Sequence, residues 1–219
     1  MNDPTQQEII GAIDKGIRNA QRDYKKAYES DISSNYSPEY LMAVYIFQSI
    51  LKTVGRYGLS LEEPVLNLAS LLRKDSTTGR HLCGRYCDDL RVYGKCDLSL
   101  KNKDDEPMFV IEVKQDPWDY YLDIKRLASL VKMGLPSGIF ASCYSVKIAD
   151  NNPDGADIQL EEEAKCILKD IKSSIGTHGY ELNVTKHLGL KKTLKLNDDP
   201  DHWRWCSFCF VFTAKRKYQ

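Results

Sequence analysis

Apolar residues recur at helical spacing from the start of the chain. Ile9, Ile13, Ile17, Ala20, Tyr24 and Ala27 predict a helix reaching about Tyr28. Its start reads as Asp3 capping, Pro4 in the first turn and Gln6 reaching back. The polar SDISSNYS predicts a loop. Ser37 and Pro38 then open a second helix carrying Leu41, Val44, Tyr45, Ile46, Phe47, Ile50, Leu51 and Val54. So apolar a helix is expected to be buried on several sides, and Gly55 and Gly58 end it. Residues 61–73, LEEPVLNLASLLR, read as a third helix, with Leu61, Val65, Leu68 and Leu72 as its stripe and DSTTGR breaking it.

The period then shifts from helical to alternating. YGKCDLSLK (93–101) and MFVIEVK (108–114) alternate on either side of the polar NKDDEP, which predicts an antiparallel hairpin. Asp116 and Pro117 restart a helix over about 118–133, and Gly134, Leu135 and Pro136 stop it. GIFASCYSV (138–146) reads as a strand, ADNNPDGAD as a loop and LEEEAKCILKDIKSSI as a charged amphipathic helix. ELNVTKHLGLKKTLKL holds a strand or two, Asn197 to Asp201 a turn, and WRWCSFCFVFTAK the last strand. Helix, hairpin, helix and strand from 61 to 146 make a mixed α/β core with helical additions.

The length of 219 residues fits one domain with extensions, and 42% hydrophobic with 28% charged residues is ordinary for a globular protein. Lysine plus arginine equals aspartate plus glutamate, 31 against 31. That excludes a polybasic protein whose affinity comes from bulk charge, while charge segregated on two faces stays open. No run approaches the roughly 18 apolar residues of a membrane span, so no membrane partner is expected. MNDPTQQEII lacks a basic region followed by an apolar one, so no secretory signal is expected. Seven cysteines, odd in number and scattered, fit reduced thiols in an intracellular compartment, cytoplasmic or nuclear.

The chemistry gathers at Asp97 and at Glu112-Val113-Lys114. Glu112 and Lys114, two apart on a strand, share a face with Val110 and Met108, whereas Phe109, Ile111 and Val113 face the other way. Asp97 lies on the partner strand and can come beside Glu112. Adjacent carboxylates repel each other unless a hard cation such as Mg²⁺ compensates. Such an ion lowers the pKa of a bound water, and a neighbouring lysine can position that water or stabilise developing charge. The acid-x-lysine pattern recurs at Asp23/Lys25, Asp123/Lys125 and Glu163/Lys165. Those pairs sit in helical patterns, where residues two apart do not share a face.

Residues 61–146 resemble the core of the PD-(D/E)xK nuclease superfamily, through LEEPVLNLASLL, GKCDLSL, FVIEVK and the helix into MGLPSGIFAS. The last piece resembles restriction-enzyme-like domains, including the N-terminal nuclease of type I restriction subunits. The resemblance implies a restriction-endonuclease-like core over 59–149, a central mixed sheet flanked by helices. A helical extension over 1–58 would precede it, and a helix and strands over 150–219 would pack on it. It further implies metal-dependent hydrolysis of nucleic-acid phosphodiesters, DNA rather than RNA by family habit, with Mg²⁺ or Mn²⁺. On this resemblance Asp97, Glu112 and the carbonyl of Val113 hold the metal and Lys114 is the catalytic lysine. An acidic residue of the first core helix often completes such sites, and Glu62 is chosen over Glu63 because it lies at the edge of the apolar stripe. Cys96 stands where the family has proline, and no glutamine–tyrosine pair four apart follows Lys114. Many nucleases of this class act as dimers, which makes a homodimer an admissible form.

Plainer readings stand beside these. Asp97, Glu112 and Lys114 could form a cross-strand salt bridge, which stabilises little. The fold could persist as an inactive binding module or a protein–protein interaction domain. His81, Cys83, Cys87, His202, Cys206 and Cys209 are zinc-ligand types, but Cys206 and Cys209 in a strand would face opposite sides. Lys186, His187, Lys191, Lys192 and Lys195, with Lys215, Arg216 and Lys217, form a basic cluster near Tyr180, Trp203 and Trp205. Lys191, Lys192 and Lys195 are the candidates there for holding a phosphate backbone. A solvated face is the alternative. Helix amides after Pro117 could approach a phosphate, although Asp116 and Asp119 more simply cap that end. Asn183-Val184-Thr185 matches a glycosylation acceptor, discounted without a secretory signal.

Overall fold

A computed structural model describes residues 3–27, 38–55, 58–73, 90, 94–115, 120–148, 153–175, 182–195 and 202–215. Helix α1 spans Gln6–Ala27. Thr5 and Glu8 cap it reciprocally: the Thr5 amide donates to Glu8 Oε2 at 2.7 Å and the Glu8 amide to Thr5 Oγ1 at 3.3 Å. This capping box sits two residues later than the expected Asp3–Gln6 pair. Helix α2 spans Glu39–Val54 and follows Pro38. It buries Met42, Ala43, Ile46 and Ile50 and leaves Tyr40 and Leu51 exposed, so it is covered on one side rather than several. A Cβ on Gly16 would lie 2.5 Å from the Ile46 Cα, so glycine there lets α1 and α2 approach closely.

The expected helix over 61–73 divides in two. Strand β1 spans Gly58–Pro64 and helix α3 spans Val65–Arg73. Pro64 lacks an N–H and biases Glu63 toward extended backbone, so the helix begins only after it. As β1 is an edge strand, it tolerates the proline. The predicted hairpin forms from β2 (Lys95–Lys101) and β3 (Pro107–Lys114), paired antiparallel. Asn102 Oδ1 accepts the amides of Asp104 and Glu106, both at 2.9 Å, and so shapes its turn. Lys101 pairs with Pro107 and Leu100 with Phe109, which leaves Met108 as an extra residue. Met108 accordingly packs with Phe109 and Ile111 rather than sharing the Val110 side.

Helix α4 (Tyr121–Lys132) crosses over to β4 (Ser137–Lys147), which runs parallel to β3 with Glu112 opposite Phe140. Gly134 at φ 115 ends α4, and the Leu135 amide closes back on the Leu130 carbonyl at 3.0 Å. The start expected at Asp116–Pro117 lies outside the described residues. Helix α5 (Pro153–Ile175) begins inside the stretch expected to be loop, because proline suits a first helical turn. Strands β5 (Leu182–Leu188), β6 (Lys192–Lys195) and β7 (His202–Ala214) complete a seven-stranded mixed sheet. Its order is β1-β2-β3-β4-β7-β5, with β6 also on β7. The turn expected over 197–201 lies outside the described residues.

Two apolar cores sandwich the sheet. On one side Ile9, Ile13, Ile17, Met42, Ile46 and Ile50 meet Leu98, Ile111, Val113 and Ile139. On the other, residues of α3, α4 and α5 meet Val110, Phe140, Phe208, Phe210 and Phe212. Helices α1 and α2 therefore supply half of the sheet's cover, each buried large apolar side chain contributing about 1.5–3 kcal/mol. No described helix is long and apolar enough to cross a membrane.

Candidate functional site

The β1–β2 pair is in register at Leu61/Leu98 and again at Glu63/Cys96, but the chain turns over between them. Glu62 adopts φ 53, a left-handed conformation unusual for a residue with a side chain. Cys96 faces the core under α4 and α5, while Leu98 faces the core under α1 and α2. Asp97 sits at this changeover. Beyond the Met108 bulge the β2–β3 ladder runs regularly from Leu100/Phe109 to Leu98/Ile111. There the Asp97 carboxylate takes over as acceptor, and Val113 N donates to its Oδ2 at 2.6 Å.

From β3, Glu112 and Lys114 enter a chain of ion pairs. Arg126 on α4 donates from Nη1 to Glu112 Oε1 at 2.6 Å and to the Lys95 carbonyl at 3.0 Å. Its Nη2 lies 3.1 Å from Asp123. Asp123 also meets Lys114 at 3.3 Å, and Lys114 in turn donates to Glu39 of α2 at 3.1 Å. The sequence Glu39–Lys114–Asp123–Arg126–Glu112 thus runs from the surface inward, ending at a Glu112 only 2% exposed.

Burial pushes the Glu112 carboxyl up to about 8, against the opposing pull of Arg126 and with added repulsion from Asp97 and Asp123. Asp97 is also raised, by burial first, with its bond from Val113 pulling the other way. For Lys114 burial favours the neutral amine, but Asp123 and Glu39 together outweigh it and raise its pKa. Lys114 is therefore an ammonium at neutral pH, a donor and a positive charge rather than a base. Burial likewise opposes the Arg126 charge, yet Glu112, Cys96 and Asp123 hold its pKa above the ordinary value.

Beside this network lies a cleft of about 220 Å³ lined by Glu39, Tyr40, Ala43, Leu61, Glu62 and Asp97. Glu62 does line it, from a strand rather than the expected helix, and pairs with Lys95 at 2.8 Å. Glu63 points elsewhere, to Lys101 at 3.4 Å. Two acids reach Lys114 from helices, Glu39 of α2 and Asp123 of α4; the sequence reasoning did not single out Glu39 or Arg126, and set Asp123 aside as part of a helical pair with Lys125. A usable signal was Asp123 with Arg126, an i,i+3 pair set among Ile124, Leu127 and Val131.

Asp97, Glu112 and the Val113 carbonyl are hard oxygen donors, a type and number that suit Mg²⁺ or Mn²⁺, which bind through one or two carboxylates and keep waters. A divalent ion would also relieve the repulsion between Asp97 and Glu112. Arg126 already supplies one positive charge there, and among the described residues no three His, Cys, Asp or Glu side chains form a metal-binding group.

The other candidates fall apart. Cys206 and Cys209 are buried on opposite faces of β7, and burial pushes the Cys206 thiol up to about 12. His81, Cys83, Cys87 and the His202 side chain lie outside the described residues. Lys191 is engaged by Glu161 at 2.8 Å and by Asp157 at 3.8 Å. Trp205 is buried, and burial lowers the His187 pKa, leaving that ring uncharged at neutral pH. Lys192 is exposed, while Tyr180, Arg216, Lys217 and the Lys195 side chain lie outside the described residues. Strands β4 and β7 separate β6 from β3, so Lys191, Lys192 and Lys195 do not join the Asp97–Lys114 cluster. No family model matches this chain, and neither a curated protein nor a solved structure matches it.

Proposed function

We propose that this chain hydrolyses nucleic-acid phosphodiester bonds with a divalent cation, DNA in preference to RNA, on a restriction-endonuclease-like core. The observation that carries the reading is the convergence at one end of β1–β3 of Asp97, Glu112 and a protonated Lys114 beside an open cleft. The resemblance implies an acidic residue from a core helix, and Glu39 on α2 is the better candidate than Glu62.

In this reading Asp97, Glu112 and the Val113 carbonyl hold Mg²⁺ or Mn²⁺. When bound, the ion lowers the pKa of a coordinated water and offsets charge on the scissile phosphate. Lys114 donates to the attacking water or to a phosphate oxygen, so its charge stabilises the negative charge that develops. Glu39 and Asp123 fix the ammonium from two sides, which limits its reorientation during reaction. Arg126 donates to Glu112 and holds its carboxyl group in place.

A second reading is favoured by one observation. The guanidinium of Arg126 stands 2.6 Å from Glu112 and supplies the positive charge that a metal would otherwise bring. A binding module that retains the fold without hydrolysis would keep that pair permanently. Cleavage of single- and double-stranded DNA and RNA by the purified protein in Mg²⁺ or Mn²⁺ separates the two. Cutting that disappears in EDTA and in Lys114→Ala supports the hydrolase; no cutting of any substrate supports the module.

A further inference from the structure

We propose that the cleft between α2 and the β1–β2 changeover is a pocket for one unpaired nucleobase, which stacks on Tyr40 while the strand's backbone passes Lys114. This deepens the phosphodiesterase reading and rests on it. Tyr40 lines the cleft next to Asp97 and is 66% exposed, the most exposed large apolar side chain among the described residues. A ring held on a helix and left in water at the mouth of a cleft is a ready stacking surface, because every base has a π-face. Ala43 and Leu61 add apolar wall. The volume of about 220 Å³ falls below the roughly 300–1,000 Å³ of pockets for drug-sized ligands and suits a single flat ring.

Charge narrows the ligand further. Glu39 is paired with Lys114 and Glu62 with Lys95, at 3.1 Å and 2.8 Å. With Asp97 assigned to the metal, the other two carboxylates of the cleft, Glu39 and Glu62, are already compensated and offer acceptors to a neutral ring. Carboxylates accept from the exocyclic amino groups of cytosine and adenine, which thymine lacks. The strand's phosphate then lies toward Lys114, the ammonium paired with Glu39 of the cleft wall. The geometry therefore points to a single-stranded or frayed segment with an amino-bearing base at this position.

The test measures binding of fluorescein-labelled dC, dA and dT octamers by the full chain. Ca²⁺ replaces Mg²⁺, and gels check that the octamers stay intact. Wild type, Tyr40→Phe and Tyr40→Ala are compared; Tyr40 is exposed, so equal melting temperatures are expected. Wild type and Tyr40→Phe should bind dC and dA octamers more tightly than dT. Tyr40→Ala should weaken the dC and dA complexes by roughly 5- to 150-fold, the range expected for one stacked base. Equal affinity of Tyr40→Ala and Tyr40→Phe overturns the pocket, and leaves the hydrolase reading standing if wild type still cuts DNA in Mg²⁺. Failure of wild type both to bind any octamer and to cut any nucleic acid removes both. Binding of a lysine-rich octapeptide that Tyr40→Ala abolishes would assign the cleft to a cationic peptide and also overturn the proposal.

Discussion

Replacing Arg126 with methionine removes the positive partner from beside a carboxylate with almost no access to water. The side chains of Arg126 and Glu112 are 6% and 3% exposed and meet at 2.6 Å. Breaking such a pair costs about 3–5 kcal/mol, mostly through the charge left behind, whereas replacing both partners with apolar groups of similar volume is often neutral or stabilising. Arg126 also donates to the Lys95 carbonyl and to Asp123, so Arg126→Met should sit at the upper end of that range. The double variant Arg126→Met/Glu112→Leu should recover most of the loss. Urea unfolding followed through tryptophan fluorescence at pH 9, where the folded-state Glu112 carboxyl has lost its proton, reads both, since Trp203 and Trp205 lie on β7. A single variant within about 1 kcal/mol of wild type, or a double variant no more stable than the single, would contradict the claim that the pair is a desolvated unit.

Four further outcomes follow. The Glu112 carboxyl, raised by burial from 4.5 to about 8, keeps its proton in the folded state where the unfolded chain has lost it. Its contribution to stability therefore falls as pH rises from about 4.5 to 8 and levels off above; Glu112→Gln should flatten the unfolding free energy measured across that window, and an unchanged slope would refute the assignment. Gly16→Ala should destabilise by about 1–3 kcal/mol through overpacking against the Ile46 backbone, read as a lower urea midpoint. Asp97→Asn keeps an acceptor for the Val113 amide and should fold, whereas Asp97→Ala should lose about 1–3 kcal/mol in the same assay; on the hydrolase reading both abolish cleavage. Among Cys96, Cys143, Cys166, Cys206 and Cys209, only the exposed Cys166 should react with a thiol reagent in the folded protein, as mass spectrometry of peptides would resolve.

The hairpin was legible because alternation with a period of two is a strong local signal; it sets β2 against β3, where Asp97 accepts from the Val113 amide. The opposition of Cys206 and Cys209 followed from the same rule. What escaped was information not local in sequence. Glu39 and Lys114 are 75 residues apart, and no periodicity ties the start of a helix to the end of a distant strand. Glu62 was misplaced because LEEPVLNLASLLR satisfies a helical stripe throughout, while Pro64 is the residue that decides the boundary. Alternation puts Glu112 and Lys114 on one face, but it does not say that Arg126 will reach up from α4 to occupy Glu112. The basic cluster reads as free charge in a linear sequence, yet α5 supplies Asp157 and Glu161 to engage Lys191.

Both functional readings share the fold and part at a single point, whether Asp97 and Glu112 take up a divalent ion in the presence of Arg126. Calorimetric titration of the full chain with Mn²⁺ addresses this directly. The hydrolase reading predicts saturable binding by wild type that is lost in Asp97→Asn while the melting temperature without metal holds. Absence of any Mn²⁺ heat, with or without a DNA strand bound, would contradict it and leave Arg126 as the permanent counter-ion of a binding module.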